Sequence, residues 1–244
     1  MLASTFSFFP KKQNNSSDDR ITKIYKENKL LEHILSYEDI FSKNSYHGSL
    51  VDSRFSRHTI GSLPILISAP HATKHVRSGE IKSADIYTGA LSEIIHEVTG
   101  AHVMNARKVI DDPNFKKNCN YKQELKNIIQ LHEIKYVLDL HGSKAVHPFI
   151  IDLGTMDGKS MEINNVEILK NHFERNNMKC LINHTFTGAH PGTVTHYVHN
   201  YTDAQAVQIE ISRRFRNPRN DIDAFYITAK TLIDCVMSLM RAEC

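Results

Sequence analysis

Two histidines stand where apolar runs end. Lys135-Tyr-Val-Leu-Asp-Leu-His141-Gly142 reads as a short buried strand whose Asp139 and His141 share one face. Pro64-Ile-Leu-Ile-Ser-Ala-Pro70 runs straight into His71 in the same way. In open α/β sheets ligands collect in the crevice beyond the C-terminal strand ends, so both imidazoles are delivered to one place. Neutral imidazole is the commonest protein ligand for zinc, and the small neighbours Ala72 and Gly142 leave room around each ring. A catalytic zinc takes three protein ligands and keeps one position open. Two carboxylates between the histidines are candidates for the third: Asp85, in the first turn of an expected helix, and Glu80, in a loop beside Gly79. Taken singly, each histidine is explained as a loop residue bonded to backbone, and Asp85 as an acid offsetting a helix dipole. Their occurrence together at equivalent strand ends is what favours ligation.

Glu210 is the next anomaly. In Ala206-Val-Gln-Ile-Glu-Ile-Ser212, Val207, Ile209 and Ile211 face one side and Gln208, Glu210 and Ser212 the other. A strand in a covered sheet is apolar on both faces, so a carboxylate there is costly unless it is paired or serves a site. As a general base it takes a proton from water activated by the metal; the competing explanation is a salt bridge to Arg213, Arg214 or a neighbouring lysine. Asn114, in Asp112-Pro113-Asn114, offers a donor and an acceptor for orienting substrate. His190, in the loop Thr187–Gly192, or His196 is placed to polarise a substrate carbonyl. Arg213 is a candidate clamp for a substrate carboxylate through a bidentate pair. A bare turn, ordinary loop histidines and surface arginines are the plain explanations of these four.

The elements that must position these residues alternate. Strands are expected at 64–70, 101–106, 135–140, 148–153, 179–185, 193–199 and 206–212, and residues 46–58 are a strand candidate that pairs with the next one. Apolar residues at helical spacing predict helices over 83–99, 121–133, 161–176 and 222–241, with helical spacing in places over 24–41. Gly100 ends the first of these at its C-terminus, and 71–82 reads as a loop. Strands alternating with helices of this length give an α/β fold with a mostly parallel sheet covered on both faces. Residues 1–20 are polar and expected to be loosely packed, leaving 21–244 as one α/β domain, a reasonable size for 244 residues.

Composition narrows the function classes. A net charge of +3 with dispersed basic residues argues against a nucleic-acid stripe or a membrane-binding face. No apolar run approaches the roughly 18 residues of a membrane span, and the N-terminal apolar stretch lacks the preceding basic region of a signal peptide. The four cysteines, Cys119, Cys180, Cys235 and Cys244, form no C-x-x-C pair, which favours reduced thiols in a cytoplasm. With 15 histidines in the chain, only their placement is informative.

In order, the pieces are Ser68-Ala-Pro-His71, Asp85-x-Tyr-Thr88, Asp112-Pro-Asn114, Leu138-Asp-Leu-His-Gly142, Gly188-x-His190 with His196-Tyr197, and Val207-Gln-Ile-Glu-Ile-Ser212. This series, over residues 60–216, resembles the N-formylglutamate amidohydrolase family, a relative of zinc carboxypeptidases and aspartoacylases. The resemblance implies a three-layer α/β/α fold with a central mixed sheet. It further implies a zinc held by His71, a carboxylate and His141, with Glu210 as general base. The aspartate just before the helix, Asp85, is the implied carboxylate, and Glu80 is its rival. Related enzymes often carry Asn-Arg where this chain has Asn114-Phe115; that arginine grips the substrate carboxylate, and here Arg213 or Lys116 would have to take over. The expected activity is zinc-dependent hydrolysis of a small amide such as an N-formyl or N-acyl amino acid. The rivals are cleavage of a peptide or cell-wall amide on the same metal centre, and non-catalytic binding of a metal or small acid.

Overall fold

The computed structural model describes residues 16–49, 51 and 53–242. In chain order the elements are α1 (Ser16–Lys26), α2 (Leu30–Tyr46), β1 (Ser56–Thr59), β2 (Leu63–Ala69), β3 (His75–Arg77), β4 (Glu80–Lys82), α3 (Thr88–Thr99), β5 (Ala101–Ala106) and β6 (Ile110–Asp111). Then come α4 (Asn120–Leu131), β7 (Tyr136–Ser143), β8 (Ile151–Gly154), α5 (Ile163–Arg175), β9 (Cys180–Ile182), α6 (Val194–Tyr201), β10 (Gln205–Ser212), α7 (Arg213–Arg216) and α8 (Ile222–Ala242). Seven strands form one sheet in the order β1-β5-β2-β7-β10-β8-β9. The pairs β5–β2, β2–β7, β7–β10 and β8–β9 are parallel, while β1–β5 and β10–β8 are antiparallel. The expected mixed, mostly parallel α/β/α arrangement is therefore the one observed.

The two faces of this sheet differ, and the difference makes the site. Ile65 and Ile67 of β2, Leu138 and Leu140 of β7, and Val207, Ile209 and Ile211 of β10 lie on one face, buried under α1, α2, α3, α5 and α8. Leu66, Val137 and Ala206 lie on the other face beneath α4 and α6. With a side-chain period of two, the residues that follow on this second face are Ser68, Asp139, His141, Gln208 and Glu210. The face thus turns from apolar to polar toward the C-terminal ends of three adjacent strands, and register aligns the polar residues. Ser68 is opposite Asp139, Gln208 opposite Asp139 from the other side, and Glu210 opposite His141.

Several elements differ from the sequence reading. The segment expected as a strand at 193–199 is α6. Its β-branched and aromatic residues favour a strand by propensity, but Val194, Thr195, Tyr197 and Val198 are buried at helical spacing. Thr193 caps this helix by accepting from the His196 N–H at 3.1 Å. The loop 71–82 contains the β3–β4 hairpin, which joins β6 in a small second sheet. The strand candidate in 46–58 shrinks to β1, which pairs with β5 and not with the next strand, β2. Helix α1 starts at Ser16, within the polar segment expected to be loosely packed, and buries Ile21 against the core. Residues 1–15 lie outside the described residues.

Candidate metal centre and active site

His71 lies just past β2, His141 near the end of β7, and Asp85 in the turn before α3. Their ligand atoms converge: His71 Nδ1 is 3.2 Å from His141 Nδ1, and Asp85 Oδ2 is 3.3 Å from the first and 3.6 Å from the second. Asp85 was expected inside a helix beginning near residue 83, but α3 begins at Thr88. Backbone bonds hold Asp85 instead. Its N–H donates to His71 O at 2.8 Å, and its carbonyl accepts from the Thr88 N–H at 3.1 Å and the Thr88 hydroxyl at 2.7 Å. The carboxylate, released from any capping duty, faces the two rings. Glu80 sits elsewhere: on β4, largely exposed and paired with Lys82 Nζ at 2.6 Å.

Each imidazole is oriented from behind by a buried carboxylate. His71 Nε2 lies 2.8 Å from Asp112 Oδ1, and His141 Nε2 lies 2.8 Å from Asp139 Oδ2. Asp139 in turn accepts from the Ser68 hydroxyl at 2.7 Å. Carboxylate support of the distal nitrogen fixes the tautomer and ring orientation of metal-ligating histidines. Burial disfavours charge on both rings, but the acids around them outweigh it and raise both pKa values. For Asp85, burial pushes the carboxyl up, yet His141 and His71 hold it well below the usual carboxylate range. Two imidazoles and a carboxylate kept ionised, within 4.8 Å of one another, fit a divalent metal ion.

A second group, His71, His75 and Asp112, satisfies the same spacing. It is the poorer metal site. Arg77 Nε donates to Asp112 Oδ2 at 2.5 Å and the Asn114 N–H donates to Asp112 Oδ1 at 2.8 Å, so a cation already occupies that acid. His75 stacks on His71 with ring centroids 3.8 Å apart; burial, with His71 beside it, lowers its pKa to about 4. Asparagine at Asp112 or Asp139 keeps the shape of either support but removes its charge. Each substitution is expected to weaken metal affinity by about 10–100-fold, read by competition with a chromogenic chelator.

Glu210 faces the same cleft from the neighbouring strand. It is buried, and burial pushes its carboxyl up to about 7 despite the opposing pull of His141. Gln208 Nε2 donates to Glu210 Oε1 at 2.9 Å and orients it. Arg216 lies behind, its guanidinium packed where a Cβ on Gly142 would sit. Thus the space beside His141 that glycine leaves is filled by a buried cation, whose Nη1 donates to Ile86 O at 2.5 Å.

The cleft containing His71, Asp85, His141 and Glu210 has a volume of about 670 Å³. A larger hollow of about 1040 Å³ near the start of β7 has no histidine among its lining residues. The cleft's outer wall is the loop after β9, which is fixed at three points. Asp152 accepts from the N–H groups of His184, Thr185 and Phe186 at 3.1, 2.8 and 2.9 Å, Lys122 Nζ donates to Gly192 O, and Asn114 Oδ1 accepts from the Val194 N–H at 2.8 Å.

The expected substrate contacts are only partly assembled here. Asn114 lines the cleft, but its Oδ1 accepts from the Val194 N–H, so its amide holds the wall of the cleft. His190 lines the cleft and stacks on Phe115, centroids 6.0 Å apart. His196 does not line the cleft; it lies on α6 beside Asn200. Arg213 is exposed on α7, also outside the cleft lining. The arginine that the cleft does contain is Arg77, whose guanidinium carbon is 5.8 Å from the centroid of the Phe115 ring. Sequence reasoning missed Arg77 because it sits on a hairpin that read as loop, and missed Asp112 because only its neighbour Asn114 was weighed.

Solved structures share this architecture. The fold is similar to the crystal structure of N-formylglutamate amidohydrolase from Ralstonia eutropha JMP134, with a TM-score of 0.57 and 16% identity over 77% of this chain and 98% of that one. It is likewise similar to gene product Atu2144 from Agrobacterium tumefaciens, with a TM-score of 0.58 and 12% identity over 80% of this chain and 98% of that one. No protein-family model matches the chain, and no curated protein matches it in sequence.

Proposed function

We propose that this chain is a zinc-dependent amidohydrolase acting on a small amide that carries an anionic group, such as an N-formyl or N-acyl amino acid. The observation that carries the reading is the convergence of His71 Nδ1, His141 Nδ1 and Asp85 Oδ2 within 3.2–3.6 Å, with Glu210 on the adjoining strand. The likeness of fold to an N-formylglutamate amidohydrolase supports it. Nitrogen and carboxylate donors in a set of three suit zinc with one open position. Zinc held there would lower the pKa of water to about 7 and polarise the scissile carbonyl.

The chain's own groups do the rest. Glu210 takes the proton of the attacking water as its oxygen bonds to the amide carbon, and hands that proton to the nitrogen as the C–N bond breaks. The products are a carboxylic acid and an amine. Gln208 keeps the Glu210 carboxylate aimed. Arg77, Lys82 and Lys144 line the cleft beyond the acids, and a positive rim of this kind favours substrates with a carboxylate. Arg77, and not Arg213, lines the cleft where it can take a substrate carboxylate. The free thiols Cys119, Cys180 and Cys235 suit a reducing compartment, and we place the protein in the cytoplasm; among the described residues no helix is long and apolar enough to cross a membrane.

Hydrolysis of N-formyl and N-acetyl amino acids, followed before and after chelator treatment and after zinc is restored, tests the proposal. Cleavage of acidic N-acyl amino acids that is lost on chelation and regained with zinc is the expected result; activity indifferent to chelation overturns it. Preference for short peptides would favour the peptide-amidase reading on the same centre. Within the leading reading, Arg77→Ala is expected to raise KM for an anionic substrate by about 10–100-fold, the scale of one charged hydrogen bond. A neutral substrate analogue should be affected far less.

A further inference from the structure

Away from the cleft, three histidines from three elements meet on the α4 face of the sheet. His58 of β1 lies opposite Met104 of β5, and His102 precedes Met104 by two residues, so both side chains share that face. Met104 packs in the core beneath α4, and His132 is the residue that ends α4. His58 Nε2 is 3.1 Å from His102 Nδ1. The His132 ring centroid lies 4.6 Å from that of His102 and 5.1 Å from that of His58. One nitrogen of each ring falls within 4.8 Å of the other two. His102 is the second residue of β5, so the cluster sits toward the N-terminal end of that strand, whereas His71 and His141 lie at the C-terminal ends of theirs.

We propose that His58, His102 and His132 form a second binding site, for a borderline divalent transition-metal ion such as Zn²⁺, that fastens the edge strand β1 and the end of α4 to β5. Zinc–nitrogen bonds of about 2.0–2.1 Å in tetrahedral array place ligand nitrogens about 3.4 Å apart, close to the 3.1 Å between His58 and His102. His132, at a helix end, closes the remaining gap by turning its ring. Ligation needs neutral imidazole, the main form of an ordinary histidine at pH 7.5. Among the described residues no carboxylate pairs with any of the three rings, in contrast to His71 and His141. With no acid poised beside it as a general base, the site is structural. Its ligands come from three elements, so occupancy stabilises the folded chain by mass action.

Zinc uptake by the full chain at pH 7.5, measured by equilibrium dialysis with Zn²⁺ alone, tests this. The wild type should take up two ions and a His71→Ala/His141→Ala variant one. Adding His132→Gln to that variant should abolish the remaining ion, and adding His58→Gln should do the same. Zinc should raise the thermal midpoint of the double variant by about 2–4 °C or more and leave that of either triple variant unmoved, with circular dichroism confirming that each is folded. A double variant that takes up no zinc, or triple variants that still take up one ion, overturns the proposal. A wild type that binds a single ion, lost in the double variant, refutes this site while leaving the cleft reading intact.

Discussion

In a Glu210→Gln variant, kcat for amide hydrolysis falls by about 10²–10⁴-fold, while the metal-stripped protein becomes more stable than the wild type above pH 7. Both effects come from one property. The Glu210 carboxyl is buried on a strand between two neighbours, and burial raises its pKa from 4.5 to about 7. Below about pH 4.5 the group is protonated in the folded and the unfolded chain and contributes no difference. As pH rises from there through about 7, the unfolded chain releases the proton freely and the folded chain releases it against the burial penalty, so stability is lost across that window. The full penalty, about 3 kcal/mol, applies above pH 7. Glutamine accepts the same hydrogen bond from Gln208 without ever charging. Thermal unfolding of chelator-treated protein at pH 8 should show the variant about 5–10 °C higher, and at pH 4.5 the two should coincide. A variant that keeps its hydrolytic activity would remove Glu210 as the base, whereas a wild type without amide hydrolysis would favour the metal- or acid-binding reading. A variant equally inactive yet no more stable at pH 8 would leave the catalytic role standing and remove the burial account.

That same strand shows why part of the site is legible in the sequence. β2, β7 and β10 are legible because both of their faces are buried, so they appear as apolar runs, and the exceptions Ser68, Asp139, His141, Gln208 and Glu210 stand out. Their alternation placed them on one face. What the pattern does not carry is which residues lie behind the ligands. Asp112 reaches His71 from 41 positions away across a turn, and no local periodicity marks it. Asp139 was visible as the residue two before His141 on the same face, but its role as that ring's support needs the distance. The start of α3 was misplaced because Ile86 fits the apolar stripe of the helix; Tyr87, at φ 70°, breaks the helix before Thr88. Residues of α6 read as a strand because its β-branched side chains carry strand propensity, while the burial of Val194, Thr195, Tyr197 and Val198 follows helical spacing. Arg213 and Arg77 exchange places because a clamp is defined by which loop closes on the cleft, a tertiary property that charge and sequence order do not encode.

Asp85→Ala is expected to weaken zinc binding by about two to three powers of ten, whereas Glu80→Ala leaves it unchanged. A four-ligand zinc site is worth roughly 10–16 kcal/mol, or about 3–4 kcal/mol per ligand. Sequence alone leaves both acids open, since each lies between the two histidines and near the cleft. Geometry separates them: Asp85 Oδ2 is 3.3 and 3.6 Å from the two Nδ1 atoms, while Glu80 is committed to Lys82 on an exposed strand. Backbone structure argues the same way, because the N–H of Asp85 bonds to the carbonyl of His71 itself, locking ligand to ligand through 2.8 Å. Competition with a chelator of known affinity measures the loss, and Asp85→Asn separates charge from shape: a neutral oxygen in the same position should recover part of the binding and none of the pKa elevation of His71 and His141 that Asp85 supports. If Glu80→Ala proved the damaging change, the β3–β4 hairpin would have to fold over the cleft on metal binding, and the ligand set would be His71, Glu80 and His141 in place of the one proposed.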